Sequence, residues 1–246
     1  MKRTIASLLL GSALAGFSQA PAAFETASVK PNAAHEVNGE GRPRASVNAT
    51  PGYLAIQNST LSQCIQWAYN VSAFQVAGPS WIDSERYDIS ARASGPAGKE
   101  QLRPMLQSLL LDRFHLALHR ETRDVPGYAL VVAKGGPRLR ESATDGEPSM
   151  KPNRAIMTAE RITMAWFAET LTNPLRSAVV DQTGLTGRYD FTIDISKYVN
   201  PGSSPEEMLD GLSECLQHEL GLKVEARKLP LEVLVVDRAE KTPSGN

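Results

Sequence analysis

Few side chains in this sequence are set up for chemistry, and most of them fall short of a known mechanism. Nucleophilic serine chemistry needs a hydroxyl held against a base. No serine is followed three residues later by lysine, and Gly78-Pro79-Ser80-Trp81-Ile82 falls short of the Gly-x-Ser-x-Gly elbow. With four histidines in the chain, a Ser, His and Asp trio would have to converge from distant segments. His35-Glu36 and His218-Glu219 each lack the second histidine of a His-Glu-x-x-His zinc site. His115 and His119 read as neighbours on one strand face, about 13 Å apart at a rise of about 3.3 Å per residue, too far to share one ion. His218 falls near a helix C-terminus, where a cation complements the helix dipole. Neither a metal nor a cofactor is expected.

Asp83, Glu85 and Asp88 cluster around Trp81 and Tyr87, and a glycosidase needs two acids beside a sugar-stacking ring. A plainer reading serves the same residues: acids beside Ser and Gly-Pro punctuate a turn, and Trp81 with Ile82 pins that turn to a core. Further on, Asp181 to Asp190 is the counterpart. Its Gly184 and Gly187 have the makings of an anion nest, but no helix follows them, so a tight turn between strands is expected. Cys64 continues the stripe Leu61, Cys64, Ile65, Ala68, and Cys215 continues that of Met208 and Leu212; both stripes face a core. Buried free thiols pack well there. In an oxidising compartment Cys64 and Cys215 are also a candidate disulfide joining an early helix to a late one, a choice that geometry decides.

The elements that would position these groups are well signalled. Thr60-Leu61-Ser62-Gln63 fits a capping box, with the helix ending near Asn70. Ser204-Pro205-Glu206-Glu207 combines an N-cap serine, proline at the first helical position and glutamate at the third. Leu102, Met105, Leu106, Leu109 and Leu110 recur at helical period, with Pro104 either in the first turn or kinking the helix. Arg86 to Arg92, Ser177 to Asp181 and Tyr189 to Ile195 read as strands. Phe114 to Leu118 with Tyr128 to Ala133, and Leu222 to Ala226 with Glu232 to Asp237, read as closing hairpins, and Lys241 to Asn246 as a tail.

The order recurs at an offset of 102 to 104 residues. Thr60-Leu61 answers to Thr163-Met164, Arg86-Tyr87-Asp88 to Arg188-Tyr189-Asp190, and Val125-Pro126 to Leu229-Pro230. Two related helix-strand-strand-helix-strand-strand repeats are therefore expected, spanning 23–142 and 155–246 around a linker at 143–154. Short turns between strands beside helices give an α+β fold with mostly antiparallel sheets, the repeats packed together in pseudo-twofold fashion.

Ahead of the repeats, Lys2 and Arg3 precede the uncharged stretch Ile5 to Phe17 and the small residues Ala20, Ala22 and Ala23. That is the plan of a signal peptide spanning 1–22, too short in its apolar part to cross a bilayer. Cleavage after Ala22 would leave an exported chain, periplasmic or extracellular, with no transmembrane segment. The balance of 41% hydrophobic and 22% charged residues is that of a globular protein. A net charge of −1 gives no reason to expect nucleic acid or an anionic membrane as partner.

Several motifs in fixed order resemble one family. They are Phe24-Glu25-x-Ala27-Ser28-Val29-Lys30-Pro31, Gly78-Pro79-x-Trp81-Ile82-Asp83-Ser84-x-Arg86-Tyr87-Asp88-Ile89, Met105-Leu106-Gln107-Ser108-Leu109-Leu110-x-Asp112-Arg113-Phe114, Leu118-His119-Arg120-Glu121-Thr122-Arg123 with Tyr128-Ala129-Leu130-Val131-Val132-Ala133-Lys134-Gly135-Gly136, and Asp181-x-Thr183-Gly184-Leu185-Thr186-Gly187-Arg188-Tyr189-Asp190-Phe191. Together they are similar to the soil-associated secreted protein family, a domain of unknown function expanded in soil bacteria. The resemblance implies export but no catalytic residues. It also implies kinship with modules fused to membrane metallopeptidase sensors of the beta-lactam-receptor type. The expected function is a non-catalytic extracytoplasmic binding, interaction or sensing module for a protein, peptide or small molecule. The rival is a secreted hydrolase with a spatially assembled acid or Ser/His site.

Overall fold

The computed structural model describes residues 22–32, 45–200 and 202–245. Most of the leader, His35 and most of the loop after Pro31 lie outside the described residues. The fold is α+β, with three four-stranded, mostly antiparallel sheets among the described residues. Its first series of elements is β1 (Thr26–Pro31), β2 (Ser46–Thr50), β3 (Tyr53–Thr60), α1 (Leu61–Tyr69), β4 (Val76–Ala77), β5 (Arg86–Arg92), α2 (Lys99–Phe114) and β6 (Ala117–Val132). The same series follows as β7 (Arg140–Glu141), β8 (Ser149–Asn153), β9 (Ile156–Ile162), α3 (Met164–Leu175), β10 (Ala178–Asp181), β11 (Tyr189–Asp194), α4 (Pro205–Cys215) and β12 (Leu222–Arg238). Within the stretch read as a linker, Ser149–Asn153 forms a strand.

Two sheets repeat one order: β1-β5-β3-β2 and β7-β11-β9-β8. The third, β10-β6-β12-β4, reads the same from either end once equivalent strands are matched. The chain forms two compact units that are not contiguous in sequence. One comprises the described residues of Met1–Asn70, Ser80–Leu116 and Ala239–Asn246; the other comprises Val71–Pro79 and Ala117–Arg238.

In the first unit the sequence explains α1 directly. Thr60 accepts the Gln63 N–H at 3.2 Å while Gln63 Oε1 accepts the Thr60 N–H at 2.9 Å, closing the capping box. Asn70 ends the helix in the left-handed region at φ 54°, which asparagine tolerates better than most residues. Leu61, Cys64, Ile65 and Ala68 are buried, as their spacing requires. Helix α2 runs through Pro104 without starting late, and buries Leu102, Leu106, Leu109, Leu110 and Phe114. Tyr87 meets Phe114 edge to face at 4.8 Å. The last residues are no free tail. Glu240 N–H donates to Phe114 O at 2.8 Å, Ser244 N–H to Arg113 O at 2.7 Å, and the buried Tyr87 hydroxyl to Lys241 O at 2.8 Å.

The second unit holds the long ladder. Strands β6 and β12 pair antiparallel along nearly their whole length, and the pair Val125↔Leu229 joins residues that are each other's repeat equivalents. About that pair the ladder is symmetric: Leu130 faces Val224 and Arg120 faces Leu234. The expected closing hairpins are thus each one continuous strand. Pro126-Gly127 and Pro230 look like breakers, yet β10 joins β6 only from Gly127 onward, and β4 joins β12 only at Leu234 and Val235. Each proline sits where its strand has no outer partner among the described residues, the position at which a missing N–H does least harm. Val131 and Val235 are equivalent positions and both half-buried; their neighbours Leu130 and Leu234 are the buried ones. Leu212, Cys215, Leu216 and Leu220 pack with Phe167, Phe191 and Leu222 in this unit's core.

Candidate functional site

The repeated Arg-Tyr-Asp motif proves to be architectural. Asp88 accepts the N–H of Asn58 at 2.8 Å and the side-chain amide of Asn32 at 3.0 Å. Asn58 stands at φ 49° in a bulge where the β3–β5 register shifts. Asp190 likewise accepts the N–H of Arg161 at 2.7 Å, and Arg161 stands at φ 58° in the β9–β11 bulge. A carboxylate is thus used in each repeat to hold a left-handed bulge directly before a helix N-cap. Arg86 donates to Asn58 O at 2.6 Å and Arg188 to Gly146 O at 2.9 Å. Two of the three acids of the glycosidase reading have structural partners: Asp88 holds the bulge, and Glu85 pairs with Lys241, whose ammonium lies over Trp81 at 5.9 Å. Asp181 accepts from the N–H and hydroxyl of Thr183, forming the expected tight turn.

Both cysteines are buried free thiols. Burial pushes the Cys64 thiol up to about 12. Cys215 is pushed up to about 11, by burial first and then by Glu219 and Asp194. Neither is a thiolate at neutral pH. The histidines part company. His115 is the left-handed cap of α2 at φ 47°, not a strand residue, so it does not share a strand face with His119. It pairs with Glu240 at 3.2 Å. His119 has Asp237 at 2.9 Å on one ring nitrogen and Glu121 at 3.4 Å on the other. Both ring nitrogens thus face carboxylates, and neither faces a serine hydroxyl among the described residues. No group of three metal-ligating side chains occurs among the described residues.

Side chains do converge at one place in the second unit. After β6 the chain passes through Ala133-Lys134-Gly135-Gly136-Pro137-Arg138 and straps the end of the π-helical turn Leu216–Leu220 that continues α4. Ala133 N–H donates to Gly221 O at 2.9 Å and Arg138 N–H to Leu220 O at 2.7 Å. Gly221 ends the helix at φ 66°, and a Cβ there would lie 2.1 Å from Gly136 O, so only glycine permits the approach. Strap and helix end enclose a cleft of about 190 Å³ lined by Lys134, Arg138, Gln217 and His218 with the glycine backbone. Arg138 is oriented by donating to His218 O at 2.7 Å. The His218 ring stacks on Tyr198, at 6.3 Å between centroids, and lies 3.9 Å from Glu214. The lining supplies cations and donors with no carboxylate, hydroxyl or thiol side chain among its described residues, which suits an anionic group.

Of the residues weighed from sequence, only His218 belongs to this cleft. Arg138 and Gln217 were not singled out, and Lys134 entered only within the motif that ends in Lys134-Gly135-Gly136. The one local signal was the Lys-Gly-Gly run after a strand, which marks a close backbone approach without saying to what. No helix among the described residues is long and apolar enough to cross a membrane. Compared with family models, residues 62–239 match the family described as a protein of unknown function, DUF3738. Comparison with curated proteins found no match, and comparison with solved structures found none. The chain belongs to the DUF3738 family.

Proposed function

We propose that this chain is an exported, non-catalytic binding or sensing module of the extracytoplasmic space. The cleft at the strap carries the reading. It gathers Lys134, Arg138 and His218 around backbone glycines, a donor set suited to recognising negative charge and without the carboxylate, hydroxyl or thiol of the hydrolase readings among its described residues. Its volume of about 190 Å³ is below the roughly 300 Å³ at which pockets enclose a whole small-molecule ligand. It therefore accepts one anionic end of a larger ligand, a carboxylate or phosphate. The leader composition supports export, and the resemblance to modules fused to metallopeptidase sensors supports a sensing role.

The deciding experiment pairs turnover with binding. A panel of ester, glycoside, peptide and beta-lactam substrates is expected to show no hydrolysis. Titration with inorganic phosphate and with carboxylate-ended peptides is expected to show saturable binding that the Lys134→Ala/His218→Ala double variant weakens at least tenfold. Hydrolysis that vanishes when one acid or serine is replaced would refute the proposal. For export, cell fractionation with N-terminal sequencing is expected to find a soluble chain beginning at Ala23; an intact leader in a membrane pellet refutes it.

A further inference from the structure

One group lining the strap cleft changes its charge near neutral pH. Lys134 and Arg138 remain cations throughout that range, whereas the ring of His218 gains a charge as pH falls from 8 to 5. Charged and polar groups reach that ring from three sides. On its own helix, Glu214 stands 3.9 Å from the ring nitrogen Nε2. After the turn Ile195–Lys197, Tyr198 stacks on the ring at 6.3 Å between centroids, with 17° between the planes. The Tyr198 hydroxyl donates to Glu219 at 3.1 Å, and Lys197 lies 3.6 Å from the same carboxylate. From the strap come Lys134 and Arg138, the latter tied by its guanidinium to His218 O.

These groups pull the ring's proton in opposite directions. Glu214 favours the charged ring, and so does its place in the last turn before Gly221, where a cation complements the helix dipole. Lys134 and Arg138 oppose it as like charges. Glu219 is largely answered by Lys197 and the Tyr198 hydroxyl. Tyr198 does not titrate in this range, because burial first and then Glu219 push its phenol up. An anion seated between Lys134 and Arg138 cancels the opposing pair and leaves Glu214 and the dipole in force. At 3.9 Å Glu214 attracts the proton without accepting a hydrogen bond. The charged ring therefore keeps its donors for the ligand.

On the anion-binding reading of the cleft, on which this rests, we propose that the cleft takes up its anion together with a proton on His218. Capture then strengthens as pH falls. The coupling also narrows the ligand class. A carboxylate or a sulfate keeps its charge while the ring gains one. A phosphate monoester, with its second pKa at about 6, gives up charge over the same range and gains less. A carboxylate-ended ligand is therefore favoured over a phosphorylated one. In an exported chain, bathed by its surroundings, such a cleft responds to acidity.

The probe is inorganic sulfate, which does not titrate between pH 5.5 and 8.0, added to the full mature chain at constant ionic strength. Nuclear magnetic resonance follows the histidine rings. Sulfate is expected to bind at least threefold more tightly at pH 5.5 than at 8.0, the scale of one partly exposed charge-assisted contact. By reciprocity, saturating sulfate should raise the midpoint of the His218 ring titration by about half a unit. The rings of His115 and His119, which do not line the cleft, should not follow. His218→Gln is expected to abolish the pH dependence, whatever affinity remains. Glu214→Gln should move the pH profile to lower pH without flattening it. If His218→Gln binds too weakly to measure, the ring midpoint of the unaltered chain decides.

Equal affinity at the two pH values, or a ring midpoint that sulfate leaves in place, overturns the inference while the anion-binding reading stands. A pH dependence that persists in His218→Gln assigns the proton to another group and also overturns it. Inorganic phosphate gaining as much as acetyl-triglycine between pH 8.0 and 5.5 would overturn the ligand preference. Sulfate, phosphate and carboxylate that all fail to bind at either pH would remove the anion-binding reading itself.

Discussion

Compared element by element, the two repeats share the geometry that is expensive to change and differ where a sheet or helix ends. Both place a left-handed bulge before a helix N-cap and hold it with an aspartate, Asp88 or Asp190. Each buries one edge-to-face aromatic pair, Tyr87–Phe114 in the first unit and Phe167–Phe191 in the second. They part at the sheet edge, where β1 has six residues and β7 two. They part again at the second helix's end, where His115 pairs with Glu240 in one and Gly221 lies under a strap carbonyl in the other. The lesson is that packing and bulge geometry constrain the common frame, whereas edges and caps are free to specialise, as surface features are. The candidate cleft falls on the specialised side.

The strongest way to break this comparison is through the cores. Phe114→Ala and Phe167→Ala are each expected to cost about 3–5 kcal/mol in denaturant unfolding, because both rings are fully buried. If only one of them matters, the two cores are not anchored alike by their ring pairs. Next is the helix end. Gly221→Ala sets a Cβ against Gly136 O in a positive-φ position and should cost about 3 kcal/mol. By contrast, His115→Gly should stay within about 1 kcal/mol, since glycine suits φ 47° and the lost ion pair is exposed. Equal losses would show that the strap is not what distinguishes the two ends.

Smaller effects sharpen the bulge comparison. Asp88→Ala removes the acceptor of both the Asn58 N–H and the Asn32 amide, and is expected to cost about 2–3 kcal/mol; Asp190→Ala should cost about 1–2 kcal/mol. Thermal melts of both variants in one buffer decide the order. The least effect is alkaline. Cys64 is raised to about 12, and Tyr87 to about 12 by burial first, then Glu85 and Cys64. Groups whose pKa is raised on folding contribute stability that is complete below their unfolded values, near 9 for the thiol and 10 for the phenol. That contribution is lost as pH climbs toward 12. Melting temperature should therefore fall across pH 9–12, and Cys64→Ala should flatten the slope. An unchanged slope would mean that neither group is held neutral by the fold.

Helices, their caps and the duplication were legible because each is local. Thr60 with Gln63 and Ser204 with Glu207 close capping boxes within four residues, and a stripe such as Leu61, Cys64, Ile65, Ala68 names its own buried face. The Arg-Tyr-Asp anchors were found because they recur, though not why: Asp88 acts on Asn58, thirty residues away. The long strands were misread because Pro126-Gly127 and Pro230 have turn chemistry in isolation, while their true setting depends on where β10 and β4 stop pairing.

The amino-acid order by itself determined the α+β class, the capped starts of α1 and α4 and the faces that must be buried, since these follow from dihedral preference and periodicity over a few residues. Tertiary structure alone decided what needs distant partners. The chain end straps α2 through Glu240 and Ser244, and Gly136 closes on Gly221 to shape the cleft. A six-residue β1 runs along β5 while a two-residue β7 pairs only with Tyr189 and Asp190 of β11. Whether a main-chain group is satisfied is a property of its neighbour in space, and no local pattern encodes which neighbour will arrive.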